Sequence, residues 1–295
     1  MDLSVCIVSW NRPRELGDLL ESLEHHVTGC AIREVLILDN GSEPSYSPLP
    51  IAQIQGTPIS LIRSDANLGC PAGRNLLALQ ASSPLILFAD DDGVFRPGSH
   101  LDSAIEWLTS NASLMAVTGL VTENHRTRMR TPWRFRKRSL LAAARRRAPG
   151  FIGGNVILKR EHFLALGGYS ESGRFGGEEA LLSIQALLAG RTFGFTSDFE
   201  LAHEPSLEGR LTKREVGVAN LTNRLIMASY FGRPMRTTLQ TSAVLSNIRR
   251  AGIKAIFSTV LAARTDYQMQ LNSTGHLVRF SNPKLLKILG WRAWL

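Results

Sequence analysis

The sequence predicts an α/β protein with a mostly parallel sheet and helices on both of its faces, followed by a helical carboxyl-terminal region. Short apolar runs alternate with segments of helical leucine spacing over residues 1–120. This alternation is typical of parallel strands joined by crossover helices. Polar clusters directly follow several of the runs, at the sheet edge where open α/β sheets bind their ligands.

The predicted strands are the apolar runs 3–9, 34–38, 59–62, 85–89, 114–121, 151–159, 192–196 and 199–202. Pro13 suits the first turn of a helix, and leucines at helical spacing follow from Leu16 to Leu23. Further helices are expected around 76–79 and over 99–109, 161–166 and 178–188. No glycine-rich GxGxxG follows the first strand, which weakens a dinucleotide-binding reading.

The chain changes character near residue 215, where basic amphipathic helices are predicted over 218–231, 237–248 and 253–263. We therefore expect two domains, 1–215 and 216–295. Charged residues interrupt each of these helices, and no run of 18 apolar residues is present, so none should cross a bilayer. The helices are expected to lie on an acidic membrane surface or to pack against a second subunit.

Composition limits the class of protein. At 295 residues and 44% hydrophobic, the chain can bury a full core. Three cysteines without a CxxC pair argue against a disulfide framework and against a zinc site. The amino terminus carries no basic leader, so we expect no signal peptide and a cytoplasmic location, with peripheral contact at the inner face of a membrane as an extension.

The basic charge belongs to one segment. Ten Lys or Arg and no acid lie between Arg126 and Arg147, so the net charge of +9 leaves 9 − 10 = −1 for the remainder.

Three adjacent carboxylates, Asp90, Asp91 and Asp92, directly follow the apolar run 85–89. They repel one another unless a cation or hydrogen-bond donors offset the charge. In an extended chain Asp90 and Asp92 point to one side and Asp91 to the other. Such oxygen ligands suit Mg²⁺ or Mn²⁺. The alternative is a solvated acidic turn before Gly93.

Six motifs together resemble a known family. They are Val8–Asn11, Asp39–Ser42, Asn67 to Asn75, Asp90–Asp92, Gly153 to Tyr169 and Glu178–Glu179. In this order and spacing, over roughly residues 3–205, the chain resembles inverting glycosyltransferases of the GT-A fold, family 2. The resemblance implies a Rossmann-like GT-A sheet and metal-dependent transfer of a sugar from a UDP- or dTDP-type donor to an acceptor hydroxyl, with Mn²⁺ or Mg²⁺ as cofactor.

The resemblance also implies which residues bind the nucleotide. Asp39 would accept the N–H of a pyrimidine, with main-chain groups near Ser9 and Asn11 at the edge of the base, and Arg74 would reach a uracil oxygen or a phosphate. Asp39 could instead only cap its own turn. Asn67 and Asn75 are weaker candidates, since either could serve a cap or a turn.

For the metal, the resemblance implies Asp92 as ligand, with Asp90 or Asp91 at the ribose and diphosphate. Asp90 also joins the candidate metal ligands. His203 stands where related enzymes often carry a third metal contact, although a single histidine is as well explained by an ordinary hydrogen bond.

The candidate general base is Glu179, with Glu178 beside it. The family usually has Glu-Asp here and an arginine later on the same helix, whereas this chain has Glu178-Glu179 and Gln185. A helix start also favours carboxylates without any catalysis. This departure keeps open a rival function, a sugar-nucleotide-binding protein of the same fold without activity.

The basic segment 126–147 has three readings. It could lie over the active site and hold an anionic or lipid-linked acceptor, or rest on acidic headgroups. It could remain a solvated loop. It could also bind nucleic acid, because Trp133 and Phe135 interleave its charges; we favour this reading least.

Overall fold

The structure is a computed structural model of the chain, and it describes residues 2–49, 51–123, 128–130, 145–171, 177–203, 212–229, 240–241 and 243–244. The chain divides into two compact units. The first comprises Met1–Tyr169 and Leu182–Arg210, and the second comprises Ser170–Leu181 and Leu211–Leu295.

The strands are β1 (Asp2–Ser9), β2 (Val27–Thr28), β3 (Ala31–Asn40), β4 (Gln53–Ile54), β5 (Thr57–Ser64), β6 (Leu85–Asp90), β7 (Gly93–Phe95), β8 (Ser99–His100), β9 (Leu114–Glu123), β10 (Arg128–Arg130), β11 (Arg145–Ala148), β12 (Asn155–Lys159) and β13 (Thr192–His203). The helices are α1 (Pro13–His26), α2 (Cys70–Gln80), α3 (Asp102–Ser110), α4 (Arg160–Ala165), α5 (Glu178–Leu188) and α6 (Lys213–Ser229).

The first unit is built on one mixed sheet in the order β11-β13-β9-β12-β6-β1-β3-β5-β4, with β10 on β9 and β7 on β13. Strands β6, β1, β3 and β5 run parallel, as do β9 and β13. Strand β12 lies antiparallel between β6 and β9. The parallel register aligns Val8 with Asp90 and Ser9 with Asp39, so the polar ends of three strands meet at one edge.

Helices cover both faces of this sheet, as the leucine spacing predicts. Val5 and Ile7 of β1 pack in one hydrophobic cluster with the α1 residues Leu16, Leu19, Leu20 and Leu23. Cys6 points the other way and packs in a second cluster with Leu77 and Ala78 of α2. The period-2 alternation of a strand thus feeds two separate cores. The predicted α/β class with a mostly parallel sheet is confirmed.

The predicted strands agree with the observed ones apart from two differences. Residues 192–196 and 199–202 belong to the single strand β13, whose pairing with β9 shifts register between Phe195 and Glu200. The run starting at Phe151 becomes regular only at Asn155, because Asn155 donates its N–H back to Ile152 O at 3.3 Å in a local turn.

The short strands β2, β4, β7, β8, β10 and β11 were not predicted. Each has two to four residues, which is too few to show a periodic pattern.

In the second unit, α6 overlaps the helix expected over 218–231. Leu221 and Leu225 of α6 pack with Ala243 in a small apolar cluster. The helices expected over 237–248 and 253–263 otherwise lie outside the described residues. No helix in the described ranges is both long enough and apolar enough to cross a membrane.

Candidate functional site

The carboxylate triad lies where β6 ends, between β1 and β12. Asp90 closes the strand, and its N–H donates to Gly154 O at 3.0 Å. Asp90 keeps 26% of its side chain exposed, whereas Asp91 and Asp92 are buried. The end of the parallel strand β1 and the start of the antiparallel strand β12 flank the triad, at the sheet edge predicted from the apolar run.

Asp90, Asp92 and His203 form a cluster that could hold a metal ion. One ligand atom from each lies within 4.8 Å of the others, and His203 Nε2 is 3.1 Å from Asp92 Oδ1. Two carboxylate oxygens and an imidazole nitrogen are a donor set that suits a divalent transition ion such as Mn²⁺. The residues present therefore fit the implied metal.

The chain brings His203 to the triad through β7. Directly after Asp92, β7 pairs antiparallel with the end of β13, and Gly93 stands opposite His203. A Cβ on Gly93 would lie 2.4 Å from Leu201 Cδ2, so a larger residue here would displace the buried Leu201 side chain. The tight approach of β7 to β13 places a histidine from position 203 against a carboxylate from position 92.

Arg12 bridges two of the three carboxylates, a contact that the sequence analysis missed. Its Nη1 lies 2.8 Å from Asp91 Oδ1 and 3.1 Å from Asp92 Oδ2. Since His203 approaches Asp92 Oδ1, the two oxygens of Asp92 have different partners. Burial lowers the pKa of Arg12, but the charges of Asp91 and Asp92 outweigh burial, so the pKa rises above its ordinary value. Arg12 thus orients Asp92 and offsets its charge.

Asp91 is not part of the candidate metal cluster. It accepts a hydrogen bond from Ser9 Oγ at 2.7 Å, and Ser9 is also 2.9 Å from Tyr46 Oη. Burial raises the pKa of Asp91 to about 6; the positive charge of Arg12 opposes this rise and the negative charge of Asp92 adds to it. Ser9, a predicted nucleotide-site residue, therefore lies at the site through its side chain.

Arg74 contacts the triad from α2. Its Nη2 lies 2.6 Å from Asp90 Oδ1, and its guanidinium stacks 5.6 Å from the Phe88 ring centroid and 5.9 Å from that of Tyr169. The residue is buried. The structure thus links Arg74 to Asp90, and a direct contact with a base or phosphate stays a prediction.

Asp39 is fully buried at the end of β3. Its carboxylate accepts the N–H of Ser42 at 2.9 Å and that of Tyr46 at 3.2 Å, and it pairs with Arg63 Nη1 at 2.5 Å. Burial raises the pKa of Asp39, but these hydrogen bonds outweigh burial and bring the pKa below its ordinary value. The turn-capping role that was left open is therefore present, and contact with a base stays a prediction.

Two predicted asparagines hold the loops around the site. Asn11 has φ +53°; its N–H donates to Ser42 Oγ and its Oδ1 accepts from the N–H of Glu43, each at 2.9 Å. Asn67 Oδ1 accepts from Asn40 Nδ2 at 3.1 Å and from the N–H of Gly69 at 2.8 Å. Both residues therefore shape loops at the edge of the parallel strands.

Asn75, a weaker candidate, fastens a distant segment to α2. Its Nδ2 donates to Tyr169 O and its Oδ1 accepts from the N–H of Tyr169, both at 2.8 Å. The Tyr169 ring lies beside the Arg74 guanidinium. Asn75 thus fixes the tyrosine against which Arg74 packs.

Gly154 provides the room in which Asp90 lies. A Cβ at position 154 would stand 1.9 Å from Asp90 Oδ2. The absence of a side chain at position 154 therefore leaves room for a candidate metal ligand.

Glu178 and Glu179 belong to the second unit. Both lie in the first turn of α5, where Glu178 is buried and Glu179 is half-buried. Carboxylates are stabilised at a helix start by the backbone dipole. Their catalytic roles stay predictions.

In the basic segment, β10 and β11 are described. Trp133, Phe135 and the other residues over 131–144 lie outside the described residues. The readings of this segment stay predictions.

Comparison with known proteins identifies the family to which this α/β chain belongs. The model of the family described as glycosyl transferase family 2 matches residues 4–167, which is 164 of 295 residues. The chain belongs to that family, as the six motifs predicted.

Two curated relatives are glycosyltransferases described as uncharacterized. The Haemophilus influenzae protein is 28% identical over 177 residues, covering 57% of this chain and 56% of that protein. The Bacillus subtilis protein YwdF is 34% identical over 99 residues, covering 33% of this chain and 35% of that protein. The chain thus spans at most about half the length of the curated relatives it matches.

Two solved structures share the fold. GalNAc-T7, crystallised with UDP, GalNAc and Mn²⁺, superposes with a TM-score of 0.66 at 14% identity, covering 93% of this chain and 56% of that one. Staphylococcus aureus TarS superposes with a TM-score of 0.51 at 15% identity, covering 92% of this chain and 55% of that one. These likenesses support the GT-A fold.

Proposed function

We propose that this chain is an inverting, metal-dependent glycosyltransferase that moves a sugar from a UDP- or dTDP-type sugar nucleotide to an acceptor hydroxyl. The observation that carries the proposal is the cluster of Asp90, Asp92 and His203 at the carboxyl edge of the parallel strands. In open α/β sheets this edge binds ligands. The family supplies the reaction class, and the cluster supplies the ligands for its cofactor.

Asp90, Asp92 and His203 would hold the cation. A bound Mn²⁺ or Mg²⁺ would neutralise the charge that develops on the diphosphate leaving group. Mg²⁺ takes oxygen ligands in proteins, so the imidazole of His203 favours Mn²⁺. The fold neighbour GalNAc-T7 was crystallised with Mn²⁺ and UDP, which agrees with this preference.

The nucleotide would lie over the ends of β1, β3 and β6. Asp90 is the most exposed carboxylate of the triad, and therefore the one best able to meet a ribose or a diphosphate. Asp39 already accepts two backbone N–H groups, so it would hold the loop beneath the base as well as accept the N–H of the pyrimidine. Arg74, which pairs with Asp90, would reach a uracil oxygen or a phosphate.

Glu179 would remove the proton of the acceptor hydroxyl as the hydroxyl attacks the anomeric carbon, with Glu178 beside it. The sugar passes through an oxocarbenium-like transition state, and attack from the face opposite the nucleotide inverts the centre. Glu is one methylene longer than the Asp usual in the family, so the acceptor would sit slightly farther from the helix.

The acceptor would be anionic or lipid-linked, presented at the inner face of a membrane to a cytoplasmic enzyme. The concentration of arginine in 126–147 supports this part of the proposal, since juxtamembrane basic segments bind acidic lipids. Flotation with acidic liposomes tests the proposed membrane contact. Sedimentation tests the alternative that the carboxyl-terminal helices pair two subunits. A monomer that ignores acidic liposomes would overturn both.

The decisive experiment is a thermal-shift panel of UDP, dTDP and GDP with and without Mn²⁺, followed by donor hydrolysis. A ligand that binds only the folded protein raises the melting temperature with the logarithm of its concentration. We expect UDP or dTDP to raise the melting temperature only in the presence of Mn²⁺, and we expect Asp92→Asn to abolish this rise. Asp65→Asn, at an exposed acid in the loop after β5, is the control and should behave as wild type.

Two other outcomes would favour the rival functions, the first in this experiment and the second in an oligonucleotide titration. Binding without any metal-dependent hydrolysis or transfer would indicate an inactive sugar-nucleotide-binding protein. Salt-sensitive binding of an oligonucleotide, lost on deleting 126–147, would indicate a nucleic-acid binder instead.

A further inference from the structure

Glu123 stands beside His203 on the side of the ring away from the triad. It ends β9, and the parallel pairing of β9 with β13 aligns Glu123 with His203. His203 Nδ1 lies 3.8 Å from Glu123 Oε1, while His203 Nε2 lies 3.1 Å from Asp92 Oδ1. Both the Glu123 and His203 side chains are nearly buried, with 11% and 9% exposed. The imidazole thus lies between two carboxylates, one on each nitrogen.

We propose that Glu123 is a positioning residue for the metal ligand His203. This inference rests on the proposed function, because it assigns Nε2 as the nitrogen that binds the cation. Protein histidines that bind metals usually direct their other nitrogen at a carboxylate or carbonyl, which fixes the tautomer and the ring orientation. Glu123 is the carboxylate in that position here.

The geometry requires only a small adjustment. An N–H to O hydrogen bond has a usual length of about 2.9 Å, so closing the 3.8 Å gap needs a movement of about 1 Å. A proton held on Nδ1 by Glu123 leaves the lone pair of Nε2 directed at Asp90 and Asp92. Without Glu123, the ring could rotate or hold its proton on Nε2, and the third ligand would be lost.

The strand pairing explains why a residue so far along the chain takes this role. Glu123 and His203 are the last residues of two adjacent parallel strands and are paired in register. Their side chains are therefore neighbours at the same edge of the sheet. On its other side β9 pairs antiparallel with β10, in the register Glu123 with Arg128. Glu123 thus ends a strand that is hydrogen-bonded on both sides, which limits its movement.

The test measures Mn²⁺ binding directly, by calorimetry and by electron spin echo spectroscopy of the bound ion. Wild type should show modulation from an imidazole ¹⁴N, and His203→Ala should lose it. Glu123→Ala should weaken Mn²⁺ binding by about 10- to 100-fold, the usual effect of removing such a partner, and should reduce the ¹⁴N modulation. Glu123→Gln keeps a carbonyl acceptor and nearly the same shape, so it should lose less Mn²⁺ affinity than Glu123→Ala. It also serves as a control in case the alanine variant misfolds.

The control is Glu200→Gln. Glu200 lies in β13, three residues before His203, and it accepts a hydrogen bond from Thr122 Oγ1 at 2.9 Å. Glu200→Gln should bind Mn²⁺ as wild type does. If Glu123→Ala and Glu123→Gln keep wild-type affinity and full ¹⁴N modulation, the inference is wrong while the metal site stands. If wild type itself binds no Mn²⁺, the proposed metal site and this inference fail together.

Discussion

Arg12 Nη1 lies between two carboxylates, 2.8 Å from Asp91 Oδ1 and 3.1 Å from Asp92 Oδ2. Arg74 balances the third carboxylate, Asp90. The acidic triad is therefore already offset by two guanidinium groups, so its repulsion is relieved before any cation arrives. A divalent ion and a diphosphate, which bring opposite charges, would fit such a site best when they bind together.

The first prediction concerns Arg12. Arg12→Gln leaves the buried Asp91 without its cation, and breaking a buried ion pair in this way is strongly destabilising. We expect a loss on the order of 3 kcal/mol in the free energy of unfolding, measured by urea denaturation. Arg14→Gln, at an exposed arginine on the same helix, should change it little. Equal stability of the two variants would contradict the assignment.

The second prediction concerns Gly154. In Gly154→Ala the new Cβ would displace the Asp90 carboxylate, which lies 1.9 Å from its position. Because the displaced carboxylate also pairs with the buried Arg74, we expect weaker Mn²⁺ binding together with a loss of stability. Gly98→Ala is the matched contrast. A Cβ at position 98 would meet no atom within 4 Å, but the residue has φ +86°. The variant should therefore lose about 1 kcal/mol of stability and bind Mn²⁺ normally. Calorimetry and thermal unfolding distinguish the two effects.

The third prediction concerns the acid side of the stability curve. The pKa of Asp39 in the folded protein lies below its ordinary value of 3.8. The ionised carboxylate therefore stabilises the fold above that ordinary value, and this contribution disappears as the pH falls through the lowered pKa. Asp39→Asn should cost about 2 kcal/mol at pH 7, the value of hydrogen bonds to a charged group, and less as the pH approaches 3. Urea denaturation over this range, with Asp65→Asn as control, checks it. A cost that does not change with pH would refute the pKa assignment.

The fourth prediction separates an enzyme from an inactive fold. Glu179→Gln keeps size and hydrogen bonding but removes the base, so turnover should fall by about 10²- to 10⁴-fold while donor binding survives. Glu179→Asp should retain more activity than Glu179→Gln. Steady-state kinetics and donor titration measure both effects. If only Glu178→Gln is damaging, the base is Glu178; if neither change matters, the base lies elsewhere.

The strands that carry the site could be predicted because they are buried on both faces and leave uninterrupted apolar runs. The run ending at Ala89 predicted both the strand β6 and the location of Asp90 at its end. Likewise, the leucines of α1 all reach the core. The apolar pattern of the sequence was sufficient to predict those strands and helices whose position is decided by burial alone.

The partners of the charged residues could not be predicted in the same way. Arg12 and Asp91 are 79 residues apart, and Glu123 meets His203 only through the register of β9 against β13. Arg63 likewise reaches Asp39 because β5 pairs with β3 in that register. Register depends on which strands become neighbours, and apolar periodicity carries no information about it.

The three consecutive arginines of β11 have a consequence for how copies of the protein meet. β11 is the last strand on the described path of the sheet, where it pairs with β13, and Arg145, Arg146 and Arg147 are three of its four residues. An edge strand offers unpaired backbone groups to any other strand, and like charges are a common means of preventing such pairing. Two copies that approached edge to edge here would set arginine against arginine. Neutralising this strand would therefore remove a protection against aggregation.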